Sequence, residues 1–344
     1  MKRKEEGERR KADGKTVHGK RLGCHFLLPA SAFLLCCALG ASAQGYPQRA
    51  VRLIVPFAAG GTTDGLGRIL AAALSERLGH QVVVENRPGG GGIIGSEAGA
   101  RARPDGYTLL LGSAETYGMT QGIAKRLAYN PETDLVPVVM LARAPNTFTV
   151  HPSVPARTLK QLIILARANP GKLHYGSPGV GSNPHLIGEL FRHRYQLDLQ
   201  HVPYKGGGAS IIDVISGQIE MVITGIVTVA TRTSSGQVRV LAVTGAKRTP
   251  LMPDVPTMAE AGVDDFVLGA LFGLLVPSGT PAEATARLTR EITALAGSPD
   301  FRKRLVDIGQ EGTEPLAGEA FARVIRAEAQ RWRELAAMAG VKDD

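Results

Sequence analysis

Apolar and polar positions alternate in two rhythms along most of the chain. Short β-rich runs, "VRLIVPF" (51–57), "QVVVEN" (81–86) and "YTLLLGS" (107–113), predict strands, and a helical pattern separates the first two. In "DGLGRILAAALSERLG" (64–79), Leu66, Ile69, Leu70, Ala73, Leu74 and Leu78 share one face. The middle repeats the theme. "TLKQLIILARANPG" (158–171) predicts a helix ended by Pro-Gly, while "LHYGSP", "LQHVPYKG", "IEMVITG" and "VRVLAVTG" (238–245) predict strands running into loops. The last segment is helical: "PAEATARLTREITALAG" opens with Pro, and "AGEAFARVIRAEAQRWRELAAMAG" sets Phe321, Val324, Ile325, Trp332 and Leu335 near one face. Alternation of this kind predicts an α/β fold with largely parallel sheets. Two runs are long for single strands, 136–152 and 266–279. As paired hinges they would join one lobe built from both chain ends to a second built from the middle.

The first forty residues follow a different pattern. Residues 2–21 carry nine Lys or Arg against four Asp or Glu, residues 26–40 are an apolar run of fifteen, and Ala41-Ser42-Ala43 follows. A basic lead, a run too short to span a bilayer and a small-residue cleavage pattern predict a signal peptide cut after Ala43, hence an exported protein. Two rival export readings are weaker: Arg9-Arg10 lacks apolar company, and Leu35 precedes Cys36 where a lipoprotein needs a small residue. All three cysteines, Cys24, Cys36 and Cys37, fall in this segment, so the remainder has no disulfide and no cysteine metal site. The whole chain is +9, but residues 44–344 hold 31 basic and 27 acidic residues, dispersed, with few aromatics. Nucleic-acid binding is not expected.

Candidate chemistry lies in glycine-rich turns. "PFAAGGTTD" runs from a strand into a helix. Phe57, Ala58, Gly60, Gly61, Thr62 and Thr63 would present backbone amides to an anion, with Asp64 orienting the turn. "YGSPGVGSNPHL" repeats that grammar with Ser177, Gly179, Gly181, Ser182 as N-cap, and His185, for which helix-start packing and ligand contact are equal readings. Tyr204 and Lys205 end another strand, and Ser113 and Gly225 follow strands at the same rim. Gly90, Gly92 and Gly95 fit G-x-G-x-x-G, but Arg87-Pro88 intervenes after the strand and no acid ends the next one. A tight turn and close helix–sheet packing explain them better than NAD, and no cofactor or metal is expected. Signatures of serine, cysteine, nucleotide-hydrolysing and zinc enzymes are missing. A non-catalytic binder is therefore expected, with an exported hydrolase or isomerase using His185 and a nearby serine as the alternative.

The motifs "VPFAAGGTTD" (55–64), "VVVENRPGGGGIIG" (82–95), "RPDGYTLLLGS" (103–113), "NPGKLHYGSPGVGSNPHL" (169–186), "HVPYKGGGAS" (201–210), "DVPTMAEAG" (254–262) and "PSGTP" (277–281) stand in the order found in Bug-type receptors. The chain resembles these substrate-binding proteins of tripartite tricarboxylate transporters. The resemblance implies a two-lobed periplasmic binding protein fold, each lobe a mostly parallel sheet flanked by helices, with the ligand cleft between them. It places lobe 1 at 44–142 with 268–344 and lobe 2 at 143–267. It implies capture of a small carboxylate, through backbone groups and bound waters of the 57–64 loop, for membrane permease subunits, by a receptor expected to be monomeric. Two departures are small: Gly67 where Ala is more usual, which weakens that helix by about 1 kcal/mol, and four glycines where Gly-Ala-Gly-Gly is common.

Overall fold

The computed structural model describes residues 45–119 and 127–341, so the expected signal peptide lies outside the described residues. β1 (Val51–Val55) leads through a glycine turn into α1 (Thr62–Leu78), then β2 (Val82–Asn86), α2 (Ile93–Ala100) and β3 (Thr108–Ser113). β4 (Leu135–Val150) is one continuous strand of 16 residues. Beyond it come α3 (Leu159–Ala168), β5 (Leu173–Ser177), α4 (Asn183–Tyr195), β6 (Leu199–Pro203), α5 (Gly207–Ile215), β7 (Met221–Gly225), α6 (Ile226–Ser234) and β8 (Arg239–Val243). β9 (Gly269–Pro277) returns beside β4, and α7 (Ala282–Gly297), α8 (Pro299–Asp307), the short β10 (Glu311–Gly312) and α9 (Gly318–Met338) close the chain.

β4 belongs to two sheets. Its first part, Leu135 to Pro145, pairs antiparallel with β9, which pairs with β3, and β1 and β2 follow. Its second part, Asn146 to Val150, pairs antiparallel with β7, and β5 and β6 follow, while β8 also joins it. Parallel pairing holds in the outer part of each sheet, β1 with β2 and β3, and β5 with β6 and β7. The antiparallel pairs at the centre arise because β4 and β9 run in opposite directions where the chain passes between sheets. Thr244 ties the two passages together. Its amide donates to the Asn146 carbonyl at 2.9 Å, the Asn146 amide donates to its hydroxyl at 2.9 Å, and its own carbonyl accepts from the Leu268 amide at 3.0 Å.

Helices cover both sheets with the faces that periodicity predicts. Leu66, Leu70, Ala73, Leu74 and Leu78 of α1 are buried, and Ile69 is half-buried. In α9, Phe321, Ile325 and Trp332 are buried, with Val324 and Leu335 packed beside them. Trp332 is a packing residue. Gly67 needs a different account from its helix propensity. A Cβ there would stand 2.7 Å from Val55 Cγ2, so the glycine lets α1 lie close on β1, and alanine would overpack the contact.

Candidate cleft site

A cleft opens at the carboxyl ends of β1, β3, β5 and β7, over a floor of Ala144 and Asn146 from β4 and Ala270 and Phe272 from β9. It holds about 620 Å³ of empty space, continuous with solvent. Four helices begin at its wall. The N-caps of α1, α4, α5 and α6 are Gly61, Ser182, Gly206 and Gly225, and all four line the cleft. First-turn amides of a helix have no intrahelical acceptor, and the helix dipole makes that end favourable to an anion. Three of the four caps are glycines that supply no capping side chain. Elsewhere Thr158 and Ser298 cap their own helices. The cleft lining contains no Lys or Arg among the described residues.

The β1–α1 corner is braced from behind. Asp64 is buried, and its carboxylate accepts from the Gly60 amide at 2.9 Å, Arg68 Nε at 2.9 Å and Asn86 Nδ2 at 3.0 Å. Burial alone would raise its pKa, but the bonds from Arg68, Gly60 and Asn86 outweigh burial and hold it below the ordinary value. Arg68 thus helps to brace the turn. One expectation about the loop changes. The Gly60 amide is engaged by Asp64, which leaves the amides at Gly61, Thr62 and Thr63 as those nearest the cleft. Gly60, at φ +83°, is the position that requires glycine, whereas Gly61 is extended at φ −95° with room for a Cβ.

The β5–α4 corner fills its own hydrogen bonds. The Ser182 hydroxyl donates to the Gly179 carbonyl at 2.7 Å and accepts weakly from the His185 amide at 3.4 Å. Ser177 Oγ pairs with His201 Nε2 at 2.7 Å, and His185 Nδ1 accepts from the Gly181 amide at 3.1 Å. The His185 and His201 rings stack 4.1 Å apart. Burial lowers the His185 pKa to about 4, with Glu189 opposing and Arg192 adding, and burial, His185 and Arg192 lower His201 to about 3. Both rings are neutral at pH 7. Among the described residues no carboxylate hydrogen-bonds either ring, so neither is set up as the base of a hydrolytic triad.

Turns on the two sheets touch across the cleft mouth: the β2–α2 turn meets the β5–α4 corner, and the β1–α1 corner meets the starts of α5 and α6. A Cβ on Gly91 would collide with the Val180 carbonyl, and one on Gly225 would collide with Thr62 Oγ1. A Cβ on Gly206 would stand 3.1 Å from the Ala58 Cβ. The glycine run therefore has two uses. Gly95 brings the start of α2 against Pro56, as close helix–sheet packing requires, and Gly91 lets the opposite turn approach.

Of the residues singled out from sequence, Phe57, Ala58, Gly61, Thr62, Thr63, Ser113, Ser182 and Gly225 line the cleft. Gly60, Asp64, Ser177, Gly179, Gly181 and His185 lie outside the lining, in the bonds described above, and Gly60 is exposed. Tyr204 donates to Asp213 Oδ2 at 2.6 Å; burial and that bond push its pKa up to about 12, and Lys205 is exposed outside the lining. Sequence reasoning missed Glu115, Asn146, Asn183, Thr224, Ala270 and Phe272, all of which line the cleft. Asn183 follows the predicted N-cap directly, a signal that was available. The others come together only through strand register: Ser113 opposes Phe272, and Asn146 opposes Gly225. Among the described residues no cluster of His, Cys, Asp and Glu is arranged to hold a metal, and no helix is long and apolar enough to cross a membrane.

Comparison with known proteins agrees with this fold. Protein BugT of Bordetella pertussis is 35% identical over 305 residues, 88% of this chain and 92% of BugT. A solved structure of R. palustris Rpa4515 with adipate superposes with a TM-score of 0.83 at 36% identity, covering 86% of this chain and 99% of that one. The periplasmic binding protein BugD superposes with a TM-score of 0.82 at 33% identity, covering 87% of this chain and 100% of BugD. The profile of the "Tripartite tricarboxylate transporter family receptor" matches residues 66–341. The chain belongs to the tripartite tricarboxylate transporter receptor family.

Proposed function

We propose that this protein is an extracytoplasmic solute receptor that captures a small carboxylate and delivers it to the permease subunits of a tripartite tricarboxylate transporter. The carrying observation is the convergence of four helix N-termini, three with glycine caps, on one cleft lined by no basic side chain among the described residues. Such a site suits a carboxylate held by backbone amides, directly or through water. Adipate in the related Rpa4515 supports this ligand class. The receptor works in the periplasm as a monomer after loss of residues 1–43, and it carries out no chemistry on its ligand. Residues 44–142 with 268–344 and residues 143–267 act as lobes that close about the β4 and β9 passages.

A thermal-shift screen over small carboxylates tests the reading. A ligand present at about 100 times its Kd stabilises by about 2.7 kcal/mol and is recovered unchanged. A screen in which no carboxylate shifts the melting curve, or in which the ligand is turned over, contradicts it. Protein recovered from periplasm should begin at Gln44, and uncut chain confined to cytoplasm would contradict the export reading.

A further inference from the structure

Glu115 is the one ionisable side chain in the cleft lining among the described residues. It follows β3 on a turn, Glu115–Met119, and is 2% exposed. Its Oε1 accepts a 2.9 Å bond from Asn183 Nδ2, and Asn183 Oδ1 accepts in turn from Asn146 Nδ2 at 2.6 Å. These amides form a directed row ending on the carboxyl group. Oε2 is shut off from solvent and has no hydrogen-bond partner.

Asp64 shows what this fold provides for a carboxylate it keeps charged: an arginine, a backbone amide and a side-chain amide, three donors in all. Glu115 receives one side-chain amide, has the Ser113 hydroxyl and its own backbone amide nearby, and has no cation. The charged group facing it is Glu328 of α9, itself an acid, whose own partners are Arg143 at 2.7 Å and Arg331 at 4.0 Å. Ser113 from β3 and the Glu115 backbone amide lie near enough to favour the charged form, and Asn183 from α4 adds its bond. Burial outweighs them and raises the pKa to about 7, with Glu328 adding to it. A buried carboxylate without donors for its second oxygen is costly, whereas a neutral carboxyl becomes a hydrogen-bond donor in need of an acceptor.

We propose that Glu115 works in its protonated form, its carboxyl group turning to bring Oε2 from its buried place to the cleft, where it donates to an oxygen of the bound ligand, so that carboxylate capture is coupled to proton uptake. This rests on the solute-receptor reading above and deepens it. The helix N-termini receive one anionic end of the ligand, and Glu115 reads a second oxygen-bearing group. The site then takes a second carboxylate or carbonyl without any basic side chain. It disfavours an ammonium group at that position, because a proton donor offers it nothing. An ammonium ligand would instead require the ionised acid, with its poorly supplied second oxygen.

The test is calorimetry on the mature protein, from pH 6.5 to 8.5, with whichever of adipate, malate, succinate and L-aspartate gives the largest thermal shift at pH 6.5. In that range the carboxylates of the free probe are ionised. Wild-type affinity should fall about tenfold for each pH unit above 7, as the protonated fraction falls. Glu115→Gln presents a carbonyl to Asn183 and an NH2 group where the acid carries its proton. It should bind within about threefold of the wild type at pH 6.5, with the pH dependence gone. Wild-type affinity that stays flat across the range overturns the proposal and needs no variant. So does a correctly melting Glu115→Gln that no longer binds, or a zwitterionic probe that binds more tightly as pH rises. If no probe binds at any pH, the receptor reading itself has failed, and the inference falls with it.

Discussion

Two strand–turn–helix corners face each other across the cleft, written in nearly the same residues. At β1–α1 the helix is capped by Gly61 without a side-chain bond, and at β5–α4 by the Ser182 hydroxyl. The first corner keeps its polar side chain, Asp64, behind the turn, where it fixes Gly60 and leaves the amides of the first helical turn facing the cleft. The second spends its hydroxyls and imidazoles on itself, through Ser182 with Gly179, Ser177 with His201 and His185 with Gly181. Glycine-rich turns with the same grammar thus serve different ends. One leaves its first-turn amides to the cleft, and the other spends its polar side chains holding its own turn. What separates them is where the polar side chain sits relative to the helix axis, which the order of residues alone does not give.

Keeping the β2–α2 turn off the second corner should have the largest effect. Gly91 has φ +60°, and a side chain there runs into the Val180 carbonyl. Gly91→Val should lower affinity for any cleft ligand by more than about a hundredfold, over 2.7 kcal/mol. Solution scattering should show ligand reducing the radius of gyration of the wild type and not that of the variant. Normal affinity would mean that these turns need not touch when ligand is held.

Removing the brace of the first corner comes next. Asp64→Ala leaves the Gly60 amide without its acceptor and takes one bond each from Arg68 and from Asn86, which keeps the Phe57 carbonyl. It should cost about 2–4 kcal/mol of stability in denaturant unfolding, with tenfold or greater loss of affinity by calorimetry. A variant as stable as the wild type would show that the turn holds itself.

The second corner should respond to acid. The folded-state pKa values of His185 and His201 lie below the unfolded value of about 6.5. The unfolded chain therefore binds more protons once pH falls below about 6.5. Stability is fully present above that pH and is lost progressively towards pH 4 and 3. Unfolding free energy should drop by about 1–2 kcal/mol from pH 7 to 5.5. Replacing His201 by asparagine should flatten that slope, and an unchanged slope would place the acid sensitivity elsewhere.

The smallest effect belongs to the cap. Ser182→Ala should cost about 1 kcal/mol of stability, while affinity changes less than about threefold. A large loss of binding in a folded Ser182→Ala would erase the distinction between the corners.

The elements with strong periodicity were legible in the sequence: β1, α1, β3, α3, the strands of the middle segment, α7 and α9. So were the glycine turns, because turn chemistry is local. α6 was not, since Thr228, Thr231, Thr233 and Ser234 give its sequence little helical character and its helix forms under tertiary packing. The reason for Gly67 was hidden too, because it depends on how closely α1 approaches Val55. The cleft floor was illegible for a related reason. Glu115, Asn146 and Phe272 are far apart in sequence, and they meet through the antiparallel register of β4 and β9. Glycine loops announce a rim, whereas the residues that read the ligand across it are set by long-range pairing.

The central claim is that backbone amides, and not a basic side chain, hold the carboxylate. The most direct measurement is a crystal structure of the protein with its carboxylate bound. The account predicts carboxylate oxygens within about 2.7–3.2 Å of the amide nitrogens at the starts of α1, α4, α5 or α6, or joined to them by single waters, with no Lys or Arg nitrogen in contact. A carboxylate clamped by a lysine or arginine, with those helix starts turned away from it, would contradict it.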